Sequence, residues 1–367
     1  MPMSNPIIPS IRRVCRVLSL ASLTIVLVAC AQHAQDLFVL SAVLETEPVA
    51  SEDDAADDPA IWVHPSDHEA SLIIGTDKGY GVEVYDLEGK RKQRIAAGYT
   101  NNIDLRPLPS PWAEGSAILA ASNRSGNTIS LFIMSADGVL SWLPDSEITT
   151  GLTEIYGACL YTEGESIYAF VNDKDGRYQQ WLLGLEATES ATRFTGRGTL
   201  VREFRVASQP EGCVADDTHA RLFIGVEAEG VYVLDARTNA SAEMTLVAPV
   251  DGDRLVADVE GLALFEEGGE GLLVVSSQGN NTYAVFNRLP PFSHIGSFAL
   301  EDSEAYDGRS AVDGTSDTDG IALAAGIRSL HFPEGLFVAQ DGSNTLPAAR
   351  QNFKLVSWQE VRQGLNL

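Results

Sequence analysis

The stretch LIIGTDKGYGVEVYDL (residues 72–87) decides the fold. An apolar run leads into a polar, glycine-containing turn, and a second run then alternates apolar and polar residues, which is typical of two antiparallel strands joined by a turn. Asp77 stands five positions after the start of the first run. The same arrangement begins again at Ile118, Ile167, Leu222, Leu272 and Leu336. Successive starts are 46 to 64 residues apart, so the sequence predicts six copies of one structural unit.

A second pattern precedes each hairpin, in which a polar residue and a small or turn-forming residue lead into an apolar strand. The instances are Asp58-Pro59, Asn101-Asn102, Tyr156-Gly157, Glu211-Gly212, Glu260-Gly261 and Asp319-Gly320. Each repeat therefore has at least three strands and room for a fourth. We predict an all-β, six-bladed β-propeller in which each blade is a four-stranded antiparallel sheet. Residues 37–44 are expected to supply the strand that completes the last blade, since a closed ring leaves no exposed sheet edge.

The N-terminus predicts export. Arg12, Arg13 and Arg16 precede an apolar run, residues 17–29, that ends at Cys30 and is too short to span a bilayer. Residues 27–30 (LVAC) resemble a lipobox, whose cysteine is acylated. We expect a lipoprotein-type signal peptide at residues 1–29, a short linker at 30–36 and one propeller domain at 37–367. The protein would then be a membrane-anchored lipoprotein of the periplasm or outer membrane; cleavage and secretion is the alternative.

The charge of the chain limits its partners. It has 25 Lys and Arg against 51 Asp and Glu, a net charge of −26. Such a field repels nucleic acid and anionic lipid, so we expect no nucleic-acid partner and no membrane contact beyond the anchor. An anionic substrate would need bound cations.

Two of the four cysteines, Cys159 and Cys213, lie outside the export region. Their pattern fits a disulfide and two buried core cysteines equally well.

Both polar patterns are expected on one face of the ring. Successive strands run antiparallel, so the start of the first strand and the turn after the second lie on the same side. Repeats one to three bring three cations there: Lys78, Arg124 and Lys174. Oxygen ligands come from Asp57, Asp58, Tyr156, Glu211, Glu227, Glu260 and Asp319. Crowded carboxylates repel one another unless a cation neutralises them. Oxygen ligands without Cys or His select Ca²⁺ or Mg²⁺, and a flexible ligand count favours Ca²⁺.

Longer strings resemble the β-propeller phytase family over about residues 45–358. These strings are ETEPV (45–49), DDPAIW (57–62), NID (102–104), ASNRS (121–125), EGCVADD (211–217), DVEG (258–261), SSQGN (276–280), DGTSDTDG (313–320) and FVAQDG (337–342). The resemblance implies a monomeric enzyme that hydrolyses phosphomonoesters of myo-inositol hexakisphosphate (phytate) to inorganic phosphate and lower inositol phosphates, with several Ca²⁺ ions as cofactor.

The resemblance also implies roles for individual residues. Its catalytic calcium cluster would be held by Glu45, Asp57, Tyr156, Glu211, Glu227, Glu260, Asp313 and Asn344. Catalysis is expected from Tyr156, Glu211, Glu227 and Glu260. Phosphate would be bound by Lys78, Arg124 and Lys174, with Asp319 alongside. Asp58 and the backbone near Ile103 match a separate structural calcium site. Two neighbouring phosphate pockets are expected.

Phosphoryl transfer needs charge neutralisation and in-line positioning more than a covalent nucleophile. Our hypothesis is that a calcium-bound water attacks phosphorus directly while the three cations stabilise the equatorial oxygens. Two departures from the family pattern, Gly79 after Lys78 and Val226 before Glu227, each remove one charged residue. The alternatives are a calcium-dependent propeller lactonase or esterase and a non-catalytic binding scaffold.

Overall fold

The structure is a computed structural model that describes residues 37–108, 115–187, 192–305 and 310–367. The expected signal peptide, lipobox and linker lie outside these residues. Strands form six small sheets, and they begin with two short segments, β1 (Phe38–Leu40) and β2 (Leu44–Glu45). None of the helices in the described ranges has the length and apolar character that crossing a membrane requires.

The first three blades follow the chain order. Blade one consists of β3 (Ala56–Trp62), β4 (Leu72–Asp77), β5 (Gly81–Asp86) and β6 (Arg91–Ala96). Blade two consists of β7 (Thr100–Pro107), β8 (Ala117–Asn123), β9 (Thr128–Met134) and β10 (Leu140–Trp142), with β11 (Ile148–Thr149) also paired to β9. Blade three consists of β12 (Ile155–Glu163), β13 (Ser166–Asp173), β14 (Arg177–Ala187) and β15 (Thr192–Arg205).

The last three blades repeat the arrangement. Blade four consists of β16 (Pro210–Asp216), β17 (Arg221–Val226), β18 (Gly230–Asp235) and β19 (Thr245–Pro249). Blade five consists of β20 (Val259–Glu267), β21 (Glu270–Ser277), β22 (Thr282–Asn287) and β23 (His294–Leu300). Blade six contains β24 (Ile321–Ala324), β25 (Leu336–Asp341) and β26 (Asn352–Ser357). The helices of the described residues are α1 (Trp358–Gly364) and single 3₁₀ turns at His68–Ala70, Pro144–Ser146 and Gln278–Asn280.

The ring closes through its inner strands. The first strand of each blade contacts the first strand of the next blade, and β24 of blade six contacts β3 of blade one. The prediction of a six-bladed β-propeller is confirmed. β2 pairs antiparallel with β26, placing Glu45 opposite Lys354, and completes blade six; it shares only Leu44 with the predicted segment. The expectation for residues 37–44 is wrong in one part: β1 instead runs parallel to β23 as a fifth strand of blade five, because Leu40 is buried in the apolar cluster that blades five and six share.

The core lies between the blades. In the described part of the chain, six apolar clusters fill the six interfaces between neighbouring blades. Adjacent residues on one strand serve different interfaces: Ile73 packs toward blade six, whereas Ile74 packs toward blade two. This explains the continuous apolar runs of the second strands, since both faces of each blade are buried. Each fully buried aliphatic side chain contributes about 1.5–3 kcal/mol.

A disulfide bond joins two neighbouring blades. Cys159 on β12 and Cys213 on β16 are bonded, and both lie in the cluster between blades three and four. Of the two alternatives that the sequence left open, the structure therefore has the disulfide.

A β-bulge near the start of the inner strand recurs in blades one to five. The pairing register shifts after Ala56, Thr100, Ile155, Pro210 and Val259. Bulges redirect side chains and are common beside active sites. In blades two to five the two residues inside the bulge are the pair of the second sequence pattern, and in blade one they are Asp57 and Asp58, one position earlier than the pair Asp58-Pro59. Glycine is required at position 157, because a Cβ there would lie 1.9 Å from the carbonyl oxygen of Glu211 in the next blade.

Candidate metal and phosphate site

Three glutamates from blades four and five form the centre of the candidate site. Glu211 lies in the bulge of β16, Glu227 directly follows β17, and Glu260 lies in the bulge of β20. Their carboxylate oxygens lie within 4.8 Å of one another. Glu211 and Glu260 are buried, and Glu227 is half-buried. We call these three residues the glutamate trio.

The trio is electrostatically strained without a cation. Burial raises the pKa of Glu260 well above its usual value, and the neighbouring Glu211 raises it further. Burial likewise raises the pKa of Glu211, and it raises the pKa of Glu227 to about 7. In the described part of the chain, Glu260 Oε2 is buried without a hydrogen-bond partner. A hard divalent cation prefers such oxygen ligands and would remove the repulsion, so the trio fits a divalent cation of this kind.

Lys78 is surrounded by carboxylates. Its ammonium lies 2.8 Å from Asp54, 2.9 Å from Asp319 and 3.3 Å from Asp57. Burial opposes its charge, but Asp57 and Asp319 outweigh burial and raise the pKa of Lys78. Burial raises the pKa of Asp57 and that of Asp319 to about 7 each. Lys78 is therefore held in its protonated form beside two aspartates whose pKa values burial has raised.

Asn101 connects the acidic and basic groups. Its amide nitrogen Nδ2 donates to Glu211 Oε1 at 2.9 Å and to Asp57 Oδ1 at 3.3 Å. Its oxygen Oδ1 accepts a hydrogen bond from Arg124 Nη1 at 3.5 Å. Lys78 contacts the same Asp57. The glutamate trio, Lys78 and Arg124 thus lie at the same end of the ring, the arrangement that a metal-bridged anion site requires.

Lys174 and Tyr156 form the third side of this end. The Lys174 ammonium lies 4.2 Å from the centre of the Tyr156 ring and 3.5 Å from Glu154 Oε1. Burial raises the pKa of Tyr156 above its usual range, and Glu211 and Asp57 add to the effect. This raised pKa favours the neutral phenol, which can donate a hydrogen bond or offer a neutral oxygen ligand.

A second polar group gathers around Lys354 in blade six. The buried ammonium of Lys354 contacts the carboxylates of Glu45, Asp313 and Asp341 and lies 3.5 Å from Asn344 Oδ1. Glu45, Asp313 and Asn344 therefore share a cation of the protein itself, and within the described residues none of the three makes a hydrogen bond or ion pair with the trio. The geometry supports a metal role for the trio more directly, and the metal role of these three residues stays a prediction.

Asp58 lines the central cavity of the ring. Its Oδ2 accepts a hydrogen bond from the backbone N–H of Ile103 at 2.9 Å, and Asp104 lines the same cavity. Burial raises the pKa of Asp58. Its contact with Ile103 agrees in place with the expected structural calcium site, whose occupation stays a prediction.

Sequence reasoning assigned no role to four polar residues of the site. The second pattern placed Asn101 on this face of the ring, at the position that Glu211 occupies in its own blade, but Asn101 was not among the expected ligands. The others lie in loops or turns and had no such signal: Asp54 at Lys78, Gln209 donating to Glu227 at 2.6 Å, and Gln278 donating to Asp319 at 2.9 Å.

The fold and the site together define a six-bladed β-propeller with acidic and basic side chains clustered at one end of its ring. A family model described as Phytase matches residues 10–366. The chain is 40% identical over 341 residues to the 3-phytase of Bacillus subtilis (strain 168), which covers 89% of this chain and 86% of that protein. The chain belongs to the phytase family of enzymes.

Solved structures resemble the chain more distantly. A functionally unknown protein from Desulfotomaculum acetoxidans DSM 771 is 18% identical, with a TM-score of 0.45 over 69% of this chain and 73% of that one. The β-propeller domain of Myceliophteria thermophila Cps50 (Swd1) is 13% identical, with a TM-score of 0.44 over 82% of this chain and 83% of that one. Both similarities are too weak to support an argument about the fold, which the sheet order defines.

Proposed function

We propose that this protein hydrolyses phosphomonoesters of phytate, that it requires several Ca²⁺ ions, and that it releases inorganic phosphate and lower inositol phosphates. Membership of the phytase family and 40% identity to a 3-phytase support the substrate. The observation that carries the calcium requirement is the glutamate trio, whose oxygens lie within 4.8 Å of one another beside cationic side chains.

The charges at this end of the ring explain why metal ions are needed. Lys78 is balanced by Asp54, Asp57 and Asp319, so its net attraction for a phosphate is small. Carboxylates near a phosphate repel it strongly where water is excluded. Glu211, Glu227, Glu260 and Asp57 would hold Ca²⁺ at this end. When bound, calcium would supply the missing positive charge and make a water molecule more acidic.

The protein's own side chains bind and orient the phosphate. Arg124 and Lys174 present cations beside the carboxylates, and Lys78 adds a third that stays protonated. Together they would neutralise charge on the phosphoryl oxygens as the ester bond breaks. Tyr156, held neutral, can hydrogen-bond to a phosphate oxygen without adding negative charge. Asp319 fixes Lys78 through a 2.9 Å contact and acts on phosphate through that residue.

The test measures phosphate release from phytate after chelation and after calcium is restored, with a lactone assayed in parallel. We expect chelation to abolish release, calcium to restore it, and the lactone to remain intact. Glu260→Gln should be inactive with calcium present, whereas Glu243→Gln, a change at an exposed glutamate, should match the wild type. Release that is indifferent to the chelator would overturn the calcium requirement.

We also propose that the protein is exported, lipid-anchored at Cys30 and monomeric. The basic and apolar N-terminal segment supports export, as does the Cys159–Cys213 disulfide, since such bonds persist in oxidising compartments. Detergent phase partitioning tests the anchor: the wild type should enter the detergent phase and Cys30→Ser the aqueous phase. Wild-type protein in the aqueous phase would favour cleavage and release. Light scattering tests the monomer.

A further inference from the structure

The six inner positions of the ring are not chemically equivalent. Blades one to six contribute Asp57, Asn101, Tyr156, Glu211, Glu260 and Asp319. Four are carboxylic acids and one is a phenol. Asn101 is the amide, and it faces two of the carboxylates and a guanidinium.

Every side-chain hydrogen bond of Asn101 in the described part of the chain goes to another side chain. The partners are Glu211, Asp57 and Arg124, together with the adjacent Asn102 at 3.1 Å. None is a backbone group, so Asn101 does not support its own strand through these contacts. The residue is fully buried, and a fully buried amide usually satisfies backbone groups or other uncharged partners.

The nitrogen and the oxygen of this amide interact with groups of opposite charge. Nδ2 presents positive hydrogens to Asp57 and Glu211, which otherwise repel each other. Oδ1 presents a negative atom to Arg124. Amides are the side chains that carry donors and an acceptor in one rigid plane. Arg124 is therefore held by a neutral acceptor, which leaves its positive charge available for an anion.

We propose that Asn101 is a positioning residue that couples the carboxylates of the metal site to the phosphate-binding Arg124. The inference rests on the proposed function. With Asn101 removed, Arg124 loses its neutral acceptor and turns toward the nearby carboxylates. Arg124 then competes with calcium for those carboxylates and is less available to phosphate. Loss of one amide should thus weaken both calcium and phosphate binding.

A double-mutant cycle tests this coupling. Asn101→Ala, Arg124→Ala and the double variant are titrated calorimetrically with calcium alone and then, at saturating calcium, with myo-inositol hexasulfate, a non-hydrolysable anionic analogue. Asn101→Ala should weaken binding of the analogue about fivefold to tenfold in the wild-type background and less than twofold in the Arg124→Ala background. Asn101→Ala should also weaken calcium binding about fivefold or more when Arg124 is present, and by a smaller factor in the Arg124→Ala background.

Controls separate this role from a loss of folding. Gln180→Ala removes another fully buried amide, which donates to the carbonyl of Ala236, and should leave both affinities unchanged. Thermal unfolding checks every variant, and Asn101→Ser repeats the cycle if the alanine variant is too unstable. Equal effects of Asn101→Ala in both Arg124 backgrounds would overturn the inference and leave the proposed function intact. Failure of the wild type to bind calcium would instead overturn the proposed function.

Discussion

Calcium binding to the trio should release protons at neutral pH. Burial holds the pKa of Glu227 and that of Asp57 at about 7, so each of these proposed ligands is about half protonated there. Calcium binds the ionised form, and binding must therefore displace these protons. Glu227 and Asp57 together predict about one proton released per binding event at pH 7 and almost none at pH 9. Glu211 and Glu260, whose pKa values are also raised, add to this number.

The sign of the pH dependence follows from the raised pKa values. A carboxyl whose pKa is higher in the folded state destabilises the calcium-free protein as pH rises from the unfolded value through the folded value. For Glu227 the interval runs from 4.5 to about 7. Over this interval the free energy of unfolding of the calcium-free protein falls by about 3 kcal/mol, at 1.36 kcal/mol per pH unit. Because Glu227 is partly exposed, we reduce this loss to about 2 kcal/mol. Calcium affinity should change in the opposite direction and strengthen about tenfold per pH unit for each proton displaced.

Calorimetry in two buffers of different ionisation enthalpy counts the released protons. The wild type should release at least about one at pH 7, and Glu227→Gln should release about half a proton fewer. Glu243→Gln, a change at an exposed glutamate, serves as the matched control. A proton count of zero at pH 6.5 would refute the reasoning, because the buried carboxylates would then already be ionised before calcium binds.

Three further predictions concern single features of the fold and site. Glu260→Gln should lower kcat about 100-fold or more at saturating calcium, while the melting temperature in chelator stays the same or rises, because a neutral amide replaces a carboxyl whose ionised form burial and Glu211 disfavour. Lys174→Ala should raise KM for phytate about fivefold with a smaller effect on kcat, since a half-exposed cation contributes mainly to uniform binding. Replacing Cys159 and Cys213 by Ser should cost about 4 kcal/mol in chemical unfolding, because the bond closes a loop with a sequence separation of 54; an unchanged midpoint would contradict this.

The sequence predicted the fold well because its repeats are physical consequences of blade packing. Ile73 and Ile74 belong to a continuous apolar run because each faces a different neighbouring blade. The strand β2 was foreseen at blade six, but the parallel pairing of β1 was not. Strand pairing at an edge depends on which neighbouring cluster accepts a side chain such as Leu40, and one apolar residue does not encode that choice.

The site was predictable to the extent that it follows the repeat. Glu211 and Glu260 occupy equivalent bulges, so their convergence could be anticipated from spacing. The role of Lys354 could not be anticipated from the sequence, because Lys354 lies in the middle of a strand whose pattern indicates burial. Its partners Glu45 and Asp313 are also remote in sequence. The resemblance placed those partners in the catalytic cluster, a role that stays a prediction, and in the structure both contact the Lys354 ammonium.

The recurring bulge connects closure of the ring with assembly of the site. A regular strand would send alternate side chains into the two flanking blade interfaces, where an acid such as Glu211 would be buried among apolar residues. The bulge turns the polar pair out of that alternation and toward the ring opening. It works only if the next blade packs closely: Gly157 leaves room for the backbone of Glu211, and Gly212 does the same for the backbone of Glu260. Each acid is thus positioned by its neighbour as well as by its own strand, so the carboxylates converge only in a closed ring. The buried charge they bring with them is the cost that a bound divalent cation would offset.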